Sequence, residues 1–495
     1  MNPFRKLIGD TAIYGVSSIV GRFLNWWLVP YYSVLFVPDE YGIVTNLLAY
    51  EAFLLIFLTY GMETGYFRFA SRSKDPVSVY STSQVPLFFT SITFLAVIFL
   101  FGKQISVFIG YPDHPEYILI LAAVVAIDAF TSIPFAKLRL DNRPVKFATI
   151  KMINIGLNIG FNLFFLSACP LILKHFPDSP LNLVYSPDIG VGYVFISYLL
   201  ASLSTLLLLY HEIISMSFKI DHALLKQMLS YSFPILIIGL AGMVNQNIDK
   251  ILLPFLLPED QNPMYQVGIY GANYKLAVLM NMFIQAFRYA FEPFFFSRSS
   301  SASTDDPRLY ASVMKYFVIF GMIIFLGMTL YIDIVKLIID QGYHEGLKVV
   351  PVILMANLFF GIFFNLSIWY KIKDLTRYGA YIALMGAAIT LLLNFILIPV
   401  MGYMGSAIAV LVCFMVMMVI TYSWGQKHYY VPYDLKRLGI YFCAGMALFL
   451  ISLLFRDWIM GWRMVMNTLL MFAFLVISLS LERNEILQIL NKKKG

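Results

Sequence analysis

The chain has 495 residues, of which 60% are hydrophobic and only 13% are charged, and its mean hydropathy is +0.77. Soluble domains are about 45–50% apolar and about 25% charged, so this composition excludes the soluble enzyme classes and is typical of a protein that crosses a membrane many times. The net charge of +7 is modest and does not indicate a nucleic-acid partner.

Apolar runs separated by charged or Pro/Gly-rich breaks predict an all-α polytopic membrane protein with about fourteen transmembrane helices. The first run follows Arg5 and Lys6 and is too long for a signal-peptide core, so it is predicted to be an uncleaved first span. Because the connecting loops are short, we expect the function to lie within the membrane. The predicted spans are 10–36, 43–69, 82–102, 117–136, 148–171, 190–211, 229–257, 265–296, 311–332, 348–370, 378–399, 404–424, 437–455 and 461–481.

Lysine and arginine are distributed unequally between the predicted loops. If the N-terminus is cytoplasmic, the segments predicted to lie inside hold 24 of these residues, and the segments predicted to lie outside hold six. Positive charge is retained on the cytoplasmic side of membrane proteins. Both termini are therefore predicted to be cytoplasmic.

A faint internal repeat relates the two halves of the chain. The motifs LVP at 28–30 and PDEYG at 38–42 resemble LLP at 252–254, PED at 258–260 and GIY at 268–270. Helices 1–6 thus resemble helices 7–12, which predicts two six-helix bundles related by an axis along the membrane normal. The predicted domains are a first bundle at 1–225, a second bundle at 226–430, and two extra helices with a basic cytoplasmic tail at 431–495.

Ten ionisable residues fall inside predicted spans, where each costs about 2.5–3.5 kcal/mol at the bilayer centre. All ten lie in the first four spans or in spans 7 and 8. Spans 9 to 14 are predicted to contribute none, because the charges near their ends are assigned to the loops: Lys315, Lys348, Arg437 and Arg463. Because a fold cannot spare that much free energy, most of them are expected to face a watery cavity or each other. The set is Arg22, Glu51, Glu63, Arg68, Asp128, Asp249, Lys250, Lys275, Arg288 and Glu292.

Polar residues extend several of these positions into stripes along single helix faces. Such a stripe lines either a water-filled lumen or a polar interface between helices, and the sequence leaves both interpretations open. The predicted cavity-lining polar residues are Asn25, Asn154, Asn158, Asn245 and Gln285.

Some of the charges have partners nearby in the sequence. The spacing of Glu63 with Arg68 is compatible with a structural ion pair, as is that of Arg288 with Glu292. Asp249 and Lys250 are adjacent, so they point about 100° apart on a helix and one need not neutralise the other.

The ten residues are five cations and five acids, but a lumen that mainly presents the cations would suit an anionic ligand, since arginine and lysine are the usual phosphate binders. The predicted substrate-binding residues are Arg22, Lys250, Lys275 and Arg288. No phosphate-binding loop, metal cluster or intramembrane histidine relay is visible. No catalytic residue, metal or cofactor is therefore predicted, and the protein is not predicted to be an enzyme.

The opening DTAIYG at 10–15, the DEYG at 39–42, the NIDK at 247–250 and the GIYGA at 268–272 resemble polysaccharide-export flippases. These belong to the multidrug/oligosaccharidyl-lipid/polysaccharide (MOP) exporter superfamily. The resemblance covers nearly the whole chain and implies two bundles around a central cavity. It implies a bacterial inner-membrane flippase for a polyprenyl-pyrophosphate-linked oligosaccharide of surface polysaccharide biosynthesis, with the cationic residues holding the head group.

The resemblance also implies coupling to a proton or sodium gradient, for which Asp249 and Glu51 are the candidates. It implies contact with membrane lipid and, as partners, a polysaccharide polymerase and glycosyltransferases. Two alternatives remain within the superfamily: a lipid II flippase for peptidoglycan and a cation-coupled multidrug exporter. A membrane glycosyltransferase, polymerase or ligase is less favoured, because no large outer loop or acidic metal motif is visible.

Overall fold

The structure is a computed structural model that describes residues 20–21, 23–299 and 307–492, apart from the side chains of residues 290, 292–299 and 484–492. All regular secondary structure in these ranges is helical, and eleven of the helices there are long and apolar enough to cross a membrane. The predicted all-α polytopic fold class is confirmed. The count of fourteen stays a prediction: span 1 lies partly outside the described residues, span 6 is the shorter apolar helix Gly192–Leu208, and span 8 is divided into Pro263–Leu276 and Val278–Ser299.

The first eleven helices alternate between long spans and short connectors. They are α1 Leu28–Leu35, α2 Pro38–Thr59, α3 Met62–Ala70, α4 Pro76–Phe108, α5 Pro115–Leu140, α6 Pro144–Leu163, α7 Cys169–His175, α8 Gly192–Leu208, α9 Tyr210–Ile214, α10 His222–Leu256 and α11 Pro263–Leu276. A π-helical segment, Phe164–Ala168, joins α6 to α7.

The remaining helices complete the chain. They are α12 Val278–Ser299, α13 Pro307–Leu330, α14 Ile332–Val335, α15 Val349–Leu366, α16 Ile368–Ile372, α17 Arg377–Met401, α18 Tyr403–His428, α19 Leu435–Leu453 and α20 Met460–Lys492. Short 3-10 turns lie between several of them, the longest at Gln341–Lys348.

Proline and left-handed backbone set several helix boundaries. Helices α2, α4, α5, α6, α11 and α13 all begin with proline, whose fixed φ suits the first turn and whose missing N–H costs nothing there. The predicted span 43–69 is divided into α2 and α3, because Tyr60 and Gly61 have φ of 36° and 71°. The sequence therefore predicts this span correctly as apolar but misses its break.

The chain forms two compact units, residues 1–271 and 272–495. In the first unit α10 packs against α2 and α3, and α5 packs against α4 and α8. In the second unit α18 packs against α15 and α17, and α13 packs against α19 and α20. Helix α10, which the repeat places in the second bundle, thus packs in the first unit, and the predicted boundary at 225/226 stays a prediction.

Large apolar side chains cover the outer surface of the long helices. Phe99 is 77% exposed, Leu207 is 74% exposed and Val400 is 80% exposed. Soluble monomers rarely expose contiguous apolar patches of more than a few hundred Å². These helix faces suit contact with lipid.

Candidate transport sites in the two units

A buried ion pair lies on α10 in the first unit. Nζ of Lys250 is 3.1 Å from Oδ1 of Asp249, and the hydroxyl of Tyr270 on α11 donates to Oδ2 of Asp249 at 2.6 Å. Asp249 is 1% exposed and Lys250 is 7% exposed. The prediction that Asp249 need not neutralise Lys250 is wrong, because the long lysine side chain folds back along the helix and also donates to the carbonyl of Gln246.

Pro254, one turn after Lys250, removes the helical hydrogen bond that the carbonyl of Lys250 would otherwise accept. Pro254 has no N–H to donate to that carbonyl four residues earlier. Instead, Nδ2 of Asn46 on α2 donates to it at 2.7 Å. The hydroxyl of Tyr111, between α4 and α5, donates to Oδ1 of Asn46 at 2.7 Å. A side-chain hydrogen bond therefore joins α2 to α10 beside the ion pair.

The polar stripe predicted on span 5 makes hydrogen bonds between helices. Nδ2 of Asn154 donates to Oγ1 of Thr205 on α8 at 2.9 Å. The hydroxyl of Tyr32 on α1 donates to Oδ1 of Asn162 at 2.8 Å, and Nδ2 of Asn162 donates to Oδ1 of Asn158 at 3.1 Å. Of the two interpretations that the sequence leaves open, these contacts are those of a polar helix interface.

Two acids lie half-buried on neighbouring helices of the first unit, Glu51 on α2 and Asp128 on α5. Asp128 accepts a hydrogen bond from the hydroxyl of Ser202 on α8 at 2.8 Å. Among the residues that the structure describes, Glu51 has no hydrogen-bond or ion-pair partner. The two candidate coupling acids, Glu51 and Asp249, therefore differ: Asp249 is fully bonded and Glu51 is not.

The acid predicted to pair with Arg68 pairs elsewhere. Glu63 forms its ion pair with Arg139 at the end of α5, and Arg68 lies 4.1 Å above the ring of Tyr231. The predicted Glu63–Arg68 pair is wrong, because residues five positions apart point to different faces of a helix.

Arg288 on α12 lines a narrow pocket of about 20 Å³ in the second unit. Its guanidinium carbon is 4.1 Å from the ring centroid of Phe364, and its buried Nε has no hydrogen-bond partner among the described residues. Asn365 and Lys371 line the same pocket. The rest of the wall is apolar and mostly aromatic: Ile284, Phe287, Phe291, Phe317, Gly361, Phe364 and Ile368.

This pocket combines two cations and an amide with aromatic walls. A guanidinium binds phosphate oxygens through paired N–H groups, and aromatic faces stabilise the cation from behind. We name it the Arg288 pocket. Its chemistry suits an anion that is attached to an apolar or ring-shaped group.

Asn365 and Lys371 were not among the predicted site residues. The sequence assigns Lys371 to the loop after the predicted span 348–370. In the structure, helix α16 extends to Ile372 and places Lys371 at the pocket. Asn46 and Tyr270 were also missed, because a single asparagine or tyrosine in an apolar helix gives no indication of its partner.

The other predicted site residues are distributed over both units. Arg22 lies outside the described residues, as does the side chain of Glu292, so the predicted Arg288–Glu292 pair stays a prediction. Asn25 and Lys275 are exposed, Gln285 is half-buried one turn before Arg288, and Asn245 is buried one turn before Asp249.

A second buried ion cluster joins the last two helices to α13. Glu482 on α20 accepts from Nζ of Lys315 on α13 and from the hydroxyl of Tyr441 on α19, each at 2.5 Å. Arg437 lies 3.3 Å from the same carboxylate. The prediction that spans 9 to 14 carry no such charge is wrong, because Lys315 lies inside the predicted span 311–332 and Glu482 directly follows the predicted span 461–481, and both side chains are buried.

In the part of the chain that the structure describes, eleven apolar helices with buried ion pairs and a cationic pocket are the features of a multi-pass membrane protein. In the ranges described, no group of three His, Cys, Asp or Glu residues could hold a metal ion. The chain belongs to the polysaccharide biosynthesis protein family, whose sequence profile matches residues 7–299. A sequence search of the curated proteins found no match.

Solved structures share the fold at low sequence identity. The lipid II flippase MurJ, in an inward closed conformation, has 13% identity and a TM-score of 0.74, covering 96% of this chain and 99% of that chain. A multidrug resistance MATE family transporter of the MOP superfamily, in an inward-facing conformation, has 12% identity and a TM-score of 0.63, covering 84% and 94%. The MATE multidrug transporter DinF-BH has 14% identity and a TM-score of 0.61, covering 87% and 97%. The chain therefore has the fold of the MOP superfamily.

Proposed function

We propose that this protein is a flippase that moves a polyprenyl-pyrophosphate-linked oligosaccharide across the bacterial inner membrane for surface polysaccharide biosynthesis. The glycan would belong to an O-antigen, a capsule or an exopolysaccharide. Membership in the polysaccharide biosynthesis family and the MOP fold support a transport role rather than catalysis. Because a fold hosts many functions, the substrate class rests on the site.

The observation that carries this substrate class is the Arg288 pocket. Arg288 and Lys371 place two cations in one half-buried pocket, where the surrounding aromatic side chains keep the dielectric low. A pyrophosphate carries its charge on two neighbouring groups and can engage both cations at once. The phenylalanine walls can pack against an isoprenoid or a sugar ring.

The remaining predicted cations are a weaker part of the proposal. Lys250 is neutralised by Asp249, so its contribution to anion binding requires the ion pair to open. Lys275 is exposed on α11. We keep Arg22, Lys250 and Lys275 as proposed substrate contacts in a central cavity, with Arg288 as the principal one.

Transport that is coupled to an ion gradient requires a residue that changes its protonation or its ion binding. We propose Asp249 for this role, because its carboxylate holds both Lys250 and Tyr270, and losing its charge would release them. Glu51 is the second candidate, since its half-buried carboxylate has no bonding partner among the described residues. Both termini are proposed to be cytoplasmic, and a polymerase and glycosyltransferases are proposed to act on the same glycan.

Complementation tests the substrate class. The gene would be placed in three strains: one without its polysaccharide flippase, one without its lipid II flippase and one without its multidrug exporters. We expect restored surface polysaccharide in the first strain only. Growth of the lipid II strain, or drug resistance in the third without polysaccharide in the first, would replace the proposal with the corresponding alternative.

A further inference from the structure

The α2–α11 crossing in the first unit is unusually close. A Cβ atom added to Gly42 would lie 2.0 Å from the carbonyl oxygen of Met264, and one added to Gly268 would lie 1.8 Å from that of Pro38. No side chain fits at such distances from backbone atoms. The two helix backbones therefore touch at this point.

The crossing has a two-fold pattern. Pro38 and Met264 are 226 positions apart, as are Gly42 and Gly268, which is close to the 224 positions between the LVP motif at 28–30 and the LLP motif at 252–254. Gly42 meets Met264, and Gly268 meets Pro38. This exchange of equivalent partners is the signature of an isologous contact. The crossing therefore lies where equivalent segments of the repeat meet, at the end of the helices that the charge bias predicts to face outside.

Asn46 lies one turn after Gly42 on the same face of α2. It is 1% exposed, and its amide group reaches α10 at the carbonyl of Lys250. Burial raises the pKa of Tyr111, so the tyrosine hydroxyl keeps its proton and donates to Oδ1 of Asn46. That donation leaves Nδ2 of Asn46 as the group that faces the carbonyl.

We propose that Asn46 is a positioning residue that couples the α2–α11 crossing to the ion pair on α10. Asn46 donates a hydrogen bond to the carbonyl of Lys250, which cannot bond to Pro254. Through this bond the closed crossing and the intact Asp249–Lys250–Tyr270 cluster form one cooperative state. Loss of the ion pair then loosens the crossing, and opening of the crossing releases the ion pair. This inference rests on the proposed role of Asp249 in transport.

The test measures access to the crossing without any glycan. Cys169, Cys413 and Cys443 are first replaced by serine, and Ala49→Cys introduces a reporter. Ala49 is 4% exposed and shares the face of Gly42 and Asn46. A membrane-impermeant maleimide added outside intact cells then reports how far the crossing is open.

We expect Asp249→Asn to raise the labelling rate of this cysteine by about tenfold, the shift that accompanies loss of one charge-assisted contact. We expect Asn46→Ala to raise it similarly and also to lower the thermal stability, because the carbonyl of Lys250 loses its donor. Gly242→Ala is the matched control, because a methyl group there meets nothing within 4 Å and should change neither value.

The double variant Asn46→Ala/Pro254→Ala separates coupling from structural support. Alanine at position 254 restores an N–H that can reach the carbonyl of Lys250, so stability should return. Labelling should stay fast, and adding Asp249→Asn should not raise it further. The proposal would be overturned if Asn46→Ala/Pro254→Ala regained slow labelling together with its stability. It would also be overturned if Asp249→Asn raised the labelling rate equally in the presence and in the absence of Asn46. If the protein does not transport a glycan, the proposed function is refuted, but the labelling results still decide whether Asn46 couples the crossing to the ion pair.

Discussion

Asp249 and Lys250 show how side-chain length outweighs helix geometry. Their Cβ atoms diverge because they are adjacent, yet the lysine ammonium returns to 3.1 Å from the carboxylate. Burial makes this return favourable, because an isolated charge in an apolar surrounding costs several kcal/mol. The pair is electrically neutral, so in the proposed mechanism anion binding in the resting state would fall mainly to Arg288.

Breaking this pair from one side should destabilise the protein. Lys250→Met leaves the carboxylate of Asp249 buried without a cation, bonded to the hydroxyl of Tyr270 and the backbone N–H of residue 250. We expect a loss of about 3–5 kcal/mol in the free energy of unfolding. The double change Lys250→Met/Asp249→Asn should recover most of it, because no unpaired charge remains. Thermal unfolding in detergent measures both. A double variant as unstable as the single one would show that the pair is not what holds this turn.

Asp249→Asn alone tests the coupling role. The variant keeps the size of the side chain but loses the charge that holds Lys250, so we expect slower transport that no longer depends on the proton gradient. Transport assays at equal membrane expression, with and without an uncoupler, measure this. Retained gradient dependence would transfer the role to Glu51, and Glu51→Gln is the corresponding variant.

Individual residues also limit what the sequence can predict. The ten charges inside predicted spans stand out in the sequence because each is expensive in a membrane. None of the partners that the structure describes was predicted: Lys250 was taken to be independent of Asp249, and Arg139 and Tyr270 come from other elements. Long-range pairing therefore has to be read from the structure.

At the scale of elements, hydrophobic runs predict the long helices well and their interruptions poorly. Tyr60 and Gly61 break one predicted span, and a π-helical segment interrupts another at Phe164–Ala168. Mean hydropathy stays high across both breaks and does not locate them, although Gly61 is the residue type that tolerates the left-handed backbone at the first one. Proline at the helix starts was the clearest local signal.

The buried charge cluster of Glu482, Lys315 and Arg437 joins the last two helices to α13, and substituting Glu482 tests whether it stabilises their packing. Glu482→Ala leaves Lys315 and Arg437 without their shared carboxylate, so we expect a loss of about 3–5 kcal/mol and less folded protein in the membrane. Arg483→Ala is the matched control, because Arg483 is the next residue and is exposed. Equal yields of the two variants in quantified membrane fractions would show that the cluster does not stabilise these helices.

At the scale of the whole molecule, the distribution of lysine and arginine predicts the topology. Reporter fusions near Pro112, Pro180 and Pro263 should lie outside, and fusions near Arg143, Asp305 and Lys373 should lie inside. A single inverted reporter beyond the first loop would contradict the fourteen-span topology.

Composition and apolar periodicity predicted the fold class, because only helices or closed barrels satisfy backbone groups in lipid. The repeat predicted equivalent segments, and the α2–α11 crossing is where such segments meet. The compact units could not be predicted from the repeat, since packing places α10 in the first unit. The Arg288 pocket was predicted only through Arg288, because Asn365 and Lys371 reach it by the fold of α15 and α16.

The central claim is that an anionic lipid-linked glycan crosses the membrane through a site that includes Arg288. The most direct measurement is translocation of a polyprenyl-pyrophosphate-linked oligosaccharide in liposomes that contain the purified protein, detected by protection of the glycan from an added glycosidase. We predict that Arg288→Ala slows translocation by about ten- to a hundredfold, the effect of losing one charge-assisted contact. We predict partial activity for Arg288→Lys, which keeps the charge without the fork, and full activity for the exposed control Lys427→Ala. Translocation by Arg288→Ala at the rate of the unaltered protein would contradict the account.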